Sequence, residues 1–155
     1  MARFNRDSEG QVSAPVPVDV ERGALVFFSE TIGETNPIYV NPGAARAAGY
    51  PDVVAPATYA VVLDMAAAHE TRRTGGTDIL TRIGADMRRL LHGNEAYEYH
   101  GPIFAGDRVT LSTRVRGFSD AKGGKLEFAH LETTITHKER GPLVTVRRDL
   151  IHRLG

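Results

Sequence analysis

A chain of 155 residues, 41% of them hydrophobic, is long enough to build one compact core and too short for two ordinary domains. Its 19 Lys and Arg balance its 19 Asp and Glu, and this zero formal charge argues against a protein that neutralises many nucleic-acid phosphates or docks on a membrane through a basic face. The absence of cysteine excludes thiolate nucleophiles, disulfide frameworks and Cys-based zinc or iron–sulfur sites.

The opening residues Met1 to Gly10 show no apolar core of the signal-peptide kind, and no stretch approaches the ~20 apolar residues of a membrane span. A cytoplasmic protein with neither a membrane nor a nucleic-acid partner is expected. Polar residues mixed with Pro15 and Pro17 predict an extended arm over residues 1–17, followed by a single domain over 18–155. From Val20 to Ile32, Val20, Ala24, Phe27, Phe28 and Ile32 recur at three- and four-residue steps, which predicts an amphipathic helix with Asp19 as N-cap and Gly33 as its stop. The segment from Gly33 to Pro42 holds two prolines and two asparagines and reads as an ordered irregular loop. A short helix over Ala44 to Ala48, stopped by Gly49, follows it.

From Pro56 to His69 almost no polar face is left, since Ala57, Tyr59, Ala60, Val61, Val62, Leu63, Met65, Ala66, Ala67 and Ala68 are all apolar or aromatic. A helix apolar all round is a buried one, with Pro56 in its first turn and Gly75-Gly76 closing the region. Beyond it, strands are predicted near 79–91, 95–100, 108–118, 125–138 and 143–153, separated by turn signals at His92-Gly93-Asn94, Ala105-Gly106-Asp107, Asp120 to Gly124 and Arg140-Gly141-Pro142. Val109, Leu111, Thr113 and Val115 alternate with Thr110, Ser112, Arg114 and Arg116, as a sheet with one buried face requires. The fold class is α+β, an antiparallel sheet wrapped around one central apolar helix.

Three stretches, in their order and spacing, carry a resemblance that covers most of the chain. They are Phe28-Ser29-Glu30-Thr31-Ile32-Gly33-Glu34-Thr35-Asn36-Pro37-Ile38-Tyr39, Val54-Ala55-Pro56-Ala57-Thr58-Tyr59, and Tyr99-His100-Gly101-Pro102-Ile103-Phe104-Ala105-Gly106-Asp107. The sequence resembles the MaoC-like hot-dog family of R-specific enoyl-thioester hydratases and 3-hydroxyacyl-thioester dehydratases. The resemblance implies a single hot-dog domain, an acyl-CoA or acyl carrier protein thioester as substrate, and a homodimer or a heterodimer with a second hot-dog subunit. In that family an Asp and a His, five residues apart in Gly-Asp-x-Asn-Pro-(Leu/Ile)-His, activate water. Here Glu34 stands in place of the Asp and Tyr39 in place of the His.

Moving a proton between water, a carbon beside a thioester carbonyl and a hydroxyl needs a group that titrates near the working pH. A phenol, at about 10, is a poor base but a good hydrogen-bond donor. A glutamate can accept the proton, yet its extra methylene displaces the carboxylate by about 1.5 Å, where about 1 Å can cost ~100-fold. One reading is therefore a hydratase or dehydratase with Glu34 and Asn36 handling water and Tyr39 as hydrogen-bond donor. A second is a non-catalytic acyl-binding subunit whose partner holds the Asp/His dyad, and a third an acyl thioesterase, since fold alone does not decide function.

In all three the substrate-binding candidates are Ala55, Pro56, Ala57, Thr58 and Tyr59, whose N–H groups at a helix start could polarise a carbonyl. His92 and His100, flanking a turn, are reserve bases across a dimer interface. The plainer readings are a turn-capping Glu34, a turn-forming Asn36 and a half-buried Tyr39. The six histidines lack His-x-x-x-His spacing, so no metal is expected. No Gly-rich phosphate loop is present and no cofactor is expected. The doublets Arg72-Arg73, Arg88-Arg89 and Arg147-Arg148 are candidate phosphate contacts.

Overall fold

The computed structural model describes residues 3–154. Five strands, β1 (Val16–Asp19), β2 (Leu90–Tyr99), β3 (Arg108–Ala121), β4 (Leu126–His137) and β5 (Gly141–Arg153), pair antiparallel in the order β1-β3-β4-β5-β2. Four helices precede or interrupt them, namely α1 (Arg22–Thr31), α2 (Pro42–Ala47), α3 (Ala60–Arg73) and α4 (Ile79–Arg82). The expected alternation in β3 is present, with Val109, Leu111, Thr113 and Val115 buried and Arg114 and Arg116 exposed. One face of the sheet is covered by α3 and the other is open, which is the hot-dog arrangement.

Two apolar clusters hold the covered face. The larger joins Leu25 of α1 and Leu63 of α3 to Val109, Leu111, Ile135, Val144 and Val146 of the sheet. The smaller gathers Phe4, Ile83, Val115, Ala129, Leu131 and Leu150. A side chain as closed off as Leu63, 1% exposed, contributes about 1.5–3 kcal/mol by leaving water.

Several elements differ from expectation. The long apolar helix begins at Ala60 rather than Pro56, because Val54 bridges Phe104 and the N–H of Ala55 donates to the carbonyl of Ile103, holding the chain extended up to Pro56. Nor is it buried all round: Ala60, Leu63 and Ala67 face the sheet, while Met65 is 68% exposed. One sheet of a single chain covers one side of a helix only. Helix α1 starts after Glu21, not at Asp19, which instead ends β1 and pairs with Arg108 at 2.7 Å. Helix α2 starts at Pro42, capped by the Asn41 side chain.

The strand expected near 79–91 is a single helical turn, α4, capped by Asp78 accepting from the N–H of Thr81, and β2 starts only at Leu90. His92-Gly93-Asn94 is no turn; it is an irregularity of register inside β2. A Cβ on Gly93 would lie 2.9 Å from the Ile151 Cδ1 and 3.1 Å from the Asp149 carbonyl oxygen, so the close approach of β5 requires a glycine there. The segment expected as an arm up to residue 17 lies against the sheet: Phe4 is 4% exposed, Arg6–Ser8 form a 3-10 turn, and β1 opens at Val16. Among the described residues no helix is long and apolar enough to cross a membrane.

Candidate functional site

The loop after α1 and the turn after β2 meet beside the start of α3. The N–H of Val54 donates to the Ile38 carbonyl, and Ala55 and Ala105 donate to Ile103 and Val53, lacing loop, helix start and turn together. Gly106, at φ +88, and Asp107, whose carboxylate accepts from the Phe104 N–H at 2.8 Å, shape that turn. Arg140 braces it from outside, donating to the Pro102 carbonyl and to Asp107 and lying 5.1 Å over the Phe104 ring.

Between these segments lies a cavity of about 440 Å³, lined by Tyr39, Val54, Ala55, Pro56, Ala57, Tyr59, Ala60, Tyr99, His100, Gly101, Pro102 and Ile103. Of the residues singled out in the sequence, the structure brings Tyr39, Ala55, Pro56, Ala57, Tyr59 and His100 to this wall. Glu34, Asn36, Thr58 and His92 are not part of it. The Glu34 carboxylate turns back on its own loop, Oε1 accepting from the N–H groups of Thr35 at 2.9 Å and Asn36 at 3.1 Å. The Asn36 side chain is spent in the same way, capping a 3-10 turn over Pro37–Tyr39 by accepting from the Ile38 N–H. His92 is exposed on β2, and Thr58 is exposed at the helix start.

The wall is phenolic. Burial, with the charge of Glu21 adding to it, raises the Tyr59 hydroxyl above the usual phenol range; burial and the neighbouring Tyr39 push Tyr99 up to about 12. Both therefore stay protonated at neutral pH and act as donors rather than bases. The His100 Nε2 sits 3.2 Å from the Thr145 hydroxyl. At the helix start, the Ala55 and Tyr59 N–H groups are committed to Ile103 and Pro56, while those of Ala57 and Thr58 meet no acceptor among the described residues. The Ala57 N–H and the phenols of Tyr39, Tyr59 and Tyr99 thus border one cavity, and donors aimed at a carbonyl oxygen are the groups that stabilise developing negative charge. Tyr99 is the member that sequence reasoning missed. Its signal is the alternation Glu95, Tyr97, Tyr99 along β2, which puts all three on one face of the strand.

The arginine doublets meet carboxylates of the chain itself. Arg72 pairs with Asp78, Arg73 with Glu70, and Arg88 and Arg89 with Asp86. Arg147 pairs with Glu98 and Glu132 on the open face, and Arg148 with Asp64 and Glu95 under α3.

Comparison with known proteins places this geometry in context. The family model of the FAS1-like, dehydratase domain region matches residues 8–146. A UPF0336 protein of Saccharopolyspora erythraea is 34% identical over 145 residues, which is 93% of this chain and 88% of that protein. Among solved structures, the HadBC (3R-hydroxyacyl-ACP dehydratase) complex of Mycobacterium tuberculosis aligns with a TM-score of 0.75 at 18% identity, over 94% of this chain and 97% of that one. The ChsH1-ChsH2 complex of the same organism aligns with a TM-score of 0.70 at 23% identity, over 92% and 84%. At these identities both structures speak to the fold.

Proposed function

Because the chain belongs to the family of the FAS1-like dehydratase domain region, we propose that it is the acyl-thioester-binding subunit of a two-subunit hot-dog dehydratase, with a partner subunit carrying the water-activating carboxylate and imidazole. One observation carries this reading: the Glu34 carboxylate is satisfied by two N–H groups of its own loop and lies off the cavity wall. A general base must reach the proton that it takes; the phenols of Tyr59 and Tyr99 on the wall hold their protons, and the imidazole on the wall, His100, has its Nε2 against the Thr145 hydroxyl. What the cavity offers is binding: apolar walls from Val54, Pro56 and Ile103, and donors from Tyr39, Tyr99 and the Ala57 N–H group for a thioester carbonyl. The solved complexes of similar fold, HadBC and ChsH1-ChsH2, give a precedent for hot-dog chains acting in pairs.

The partner is a second hot-dog chain with the dyad intact, and strand β2, at the edge of the sheet with residues 91–96 all exposed, supports sheet-edge pairing with it. The test is to give the purified chain a short trans-2-enoyl-CoA and follow both binding and the ultraviolet absorbance of the conjugated thioester. Binding without loss of absorbance, with turnover appearing on addition of a dyad-bearing hot-dog subunit, is the expected result. Turnover by the chain alone that disappears in Glu34→Ala would overturn it and make this a self-sufficient hydratase. Release of free thiol would make it a thioesterase.

A further inference from the structure

On the open face of the sheet, away from the cavity, three side chains from three adjacent strands form a hydrogen-bonded line. The Ser119 Oγ on β3 lies 2.8 Å from the Nε2 of His130 on β4, and the His130 Nδ1 lies 2.7 Å from the Asp149 Oδ1 on β5. An ionised carboxylate only accepts, so Asp149 fixes the imidazole proton on Nδ1 and leaves the Nε2 lone pair to accept the Ser119 O–H. Polarity and atom choice are those of a serine nucleophile with a base and an orienting carboxylate. The three groups are held by ladder register, His130 opposite both Gly117 and Asp149, rather than by loops. All three reach solvent, His130 and Asp149 with side chains 37% and 30% exposed.

A second feature adjoins the line. One step along the same face, Ser119 is paired with Phe128, Phe128 with Ile151, and Ile151 with Leu91, so an apolar row crosses three strands beside the nucleophile. Phe128 stacks on the His130 ring at 6.2 Å between centroids, and Leu91 is 50% exposed. An alkyl or aryl chain lying on this row would bring its carbonyl next to the Ser119 oxygen.

We propose that Ser119, His130 and Asp149 form a second reactive site, in which Ser119 takes the acyl group of an apolar ester with a good leaving group. The Ser119 Oγ forms a bond to the carbonyl carbon as its proton passes to the His130 Nε2. The carbon–oxygen bond to the leaving alcohol or phenol then breaks, that oxygen taking the proton from His130. Water, deprotonated by His130 in turn, releases the carboxylic acid and restores the serine. Asp149 is a positioning residue, and it touches no reacting atom. Ladder hydrogen bonds occupy the backbone N–H groups of these strands, and loss of one oxyanion donor costs ~100–1000-fold in a serine hydrolase, slowing acylation and deacylation alike. Because the acyl-serine is an alkyl ester with a far poorer leaving group than a phenolate, acylation outruns turnover and stoichiometric labelling is the readout.

The experiment exposes the full chain to an alkyl fluorophosphonate, with p-nitrophenyl butyrate as the acyl donor, and maps adducts by peptide mass spectrometry. The expected result is one adduct per chain at Ser119, with loss of fluoride in the first case and a burst of one p-nitrophenolate in the second. Labelling is expected to vanish in Ser119→Ala and to slow at least ~100-fold in His130→Gln and in the isosteric Asp149→Asn, by the tautomer argument, with unchanged melting curves. The absence of a Ser119 adduct in the unmodified chain overturns the proposal. So does labelling at an equal rate in Asp149→Asn, which would make Ser119 an ordinary surface hydroxyl.

Discussion

Replacing Phe4 by alanine probes how far the first residues belong to the fold. The ring lies 3.8 Å from that of His152, nearly parallel, and 5.9 Å from Phe118. Below it His152 is fully buried, its Nδ1 donating to the Glu127 Oε1 and its Nε2 accepting from the Asp86 N–H. The same Glu127 oxygen accepts the Phe4 N–H at 2.6 Å. Removing the ring forfeits about 2–3 kcal/mol of transfer free energy and about 1 kcal/mol of stacking, against a usual Phe→Ala range of ~3–5 kcal/mol. The chain before β1 can settle toward the gap, so the lower end applies, about 3 kcal/mol. For a chain of this length that is a fall in melting temperature of about 6–12 °C. Urea unfolding at fixed protein concentration, with an unchanged slope, is the assay. Phe4→Leu, keeping most of the volume, is expected to lose about 1 kcal/mol. A loss below about 1 kcal/mol in Phe4→Ala would refute the view that residues 3–12 are a structural part of the domain.

Four further outcomes are expected. Gly93→Ala places a Cβ against Ile151 and the Asp149 carbonyl, so a destabilisation of about 1–3 kcal/mol is expected in urea unfolding, with loss of β2 protection in hydrogen exchange. Hydrogen bonds from the Arg88 side chain and N–H hold the Asp86 carboxyl down at about 2. Its folded value lies below the unfolded one, so its contribution is present above about pH 4 and is lost as pH falls toward 2; melting curves of Asp86→Asn should lie lower at neutral pH and show a shallower acid decline. Leu63→Ala, in the larger core cluster, is expected to lose about 2–5 kcal/mol by the same denaturant assay. If the cavity binds a thioester carbonyl through Tyr39, Tyr39→Phe should weaken enoyl-CoA binding about 3- to 10-fold, one hydrogen bond's worth, in calorimetry.

How much of this was legible in the sequence follows from the range of the signals. The period-two alternation in β3 is a local property of three apolar residues and a threonine and predicts its buried face correctly. Helix α4 is four residues long, too short for periodicity, and only Asp78 at its cap announces it. In sequence Gly93 reads as a turn because glycine marks both turns and close approaches, and the Ile151 contact that distinguishes them comes from a strand nearly sixty residues away. Phe4 sits in a polar, proline-containing stretch whose average hides one anchoring ring. At the site, the loop that bears Glu34 and Asn36 matches a pattern, yet where a carboxylate points depends on which N–H groups its loop turns toward it. Tyr99 joins Tyr39 only through the end of β2, a proximity that no spacing encodes.

Strand β2 hydrogen-bonds to β5 alone and forms one border of the sheet. In solvent exchange its amides therefore divide into two interleaved combs. The teeth that point at β5 are slowed by the ladder, and the alternate teeth, aimed outward, exchange at rates near those of an unstructured peptide. Any strand that docks on this border would slow the second comb while leaving the first almost unchanged. Odd-even contrast within Leu90–His92 and, with its parity switched by the irregularity of register, within Glu95–Tyr99 is thus a built-in gauge of occupancy, one that counts docked partners without a label.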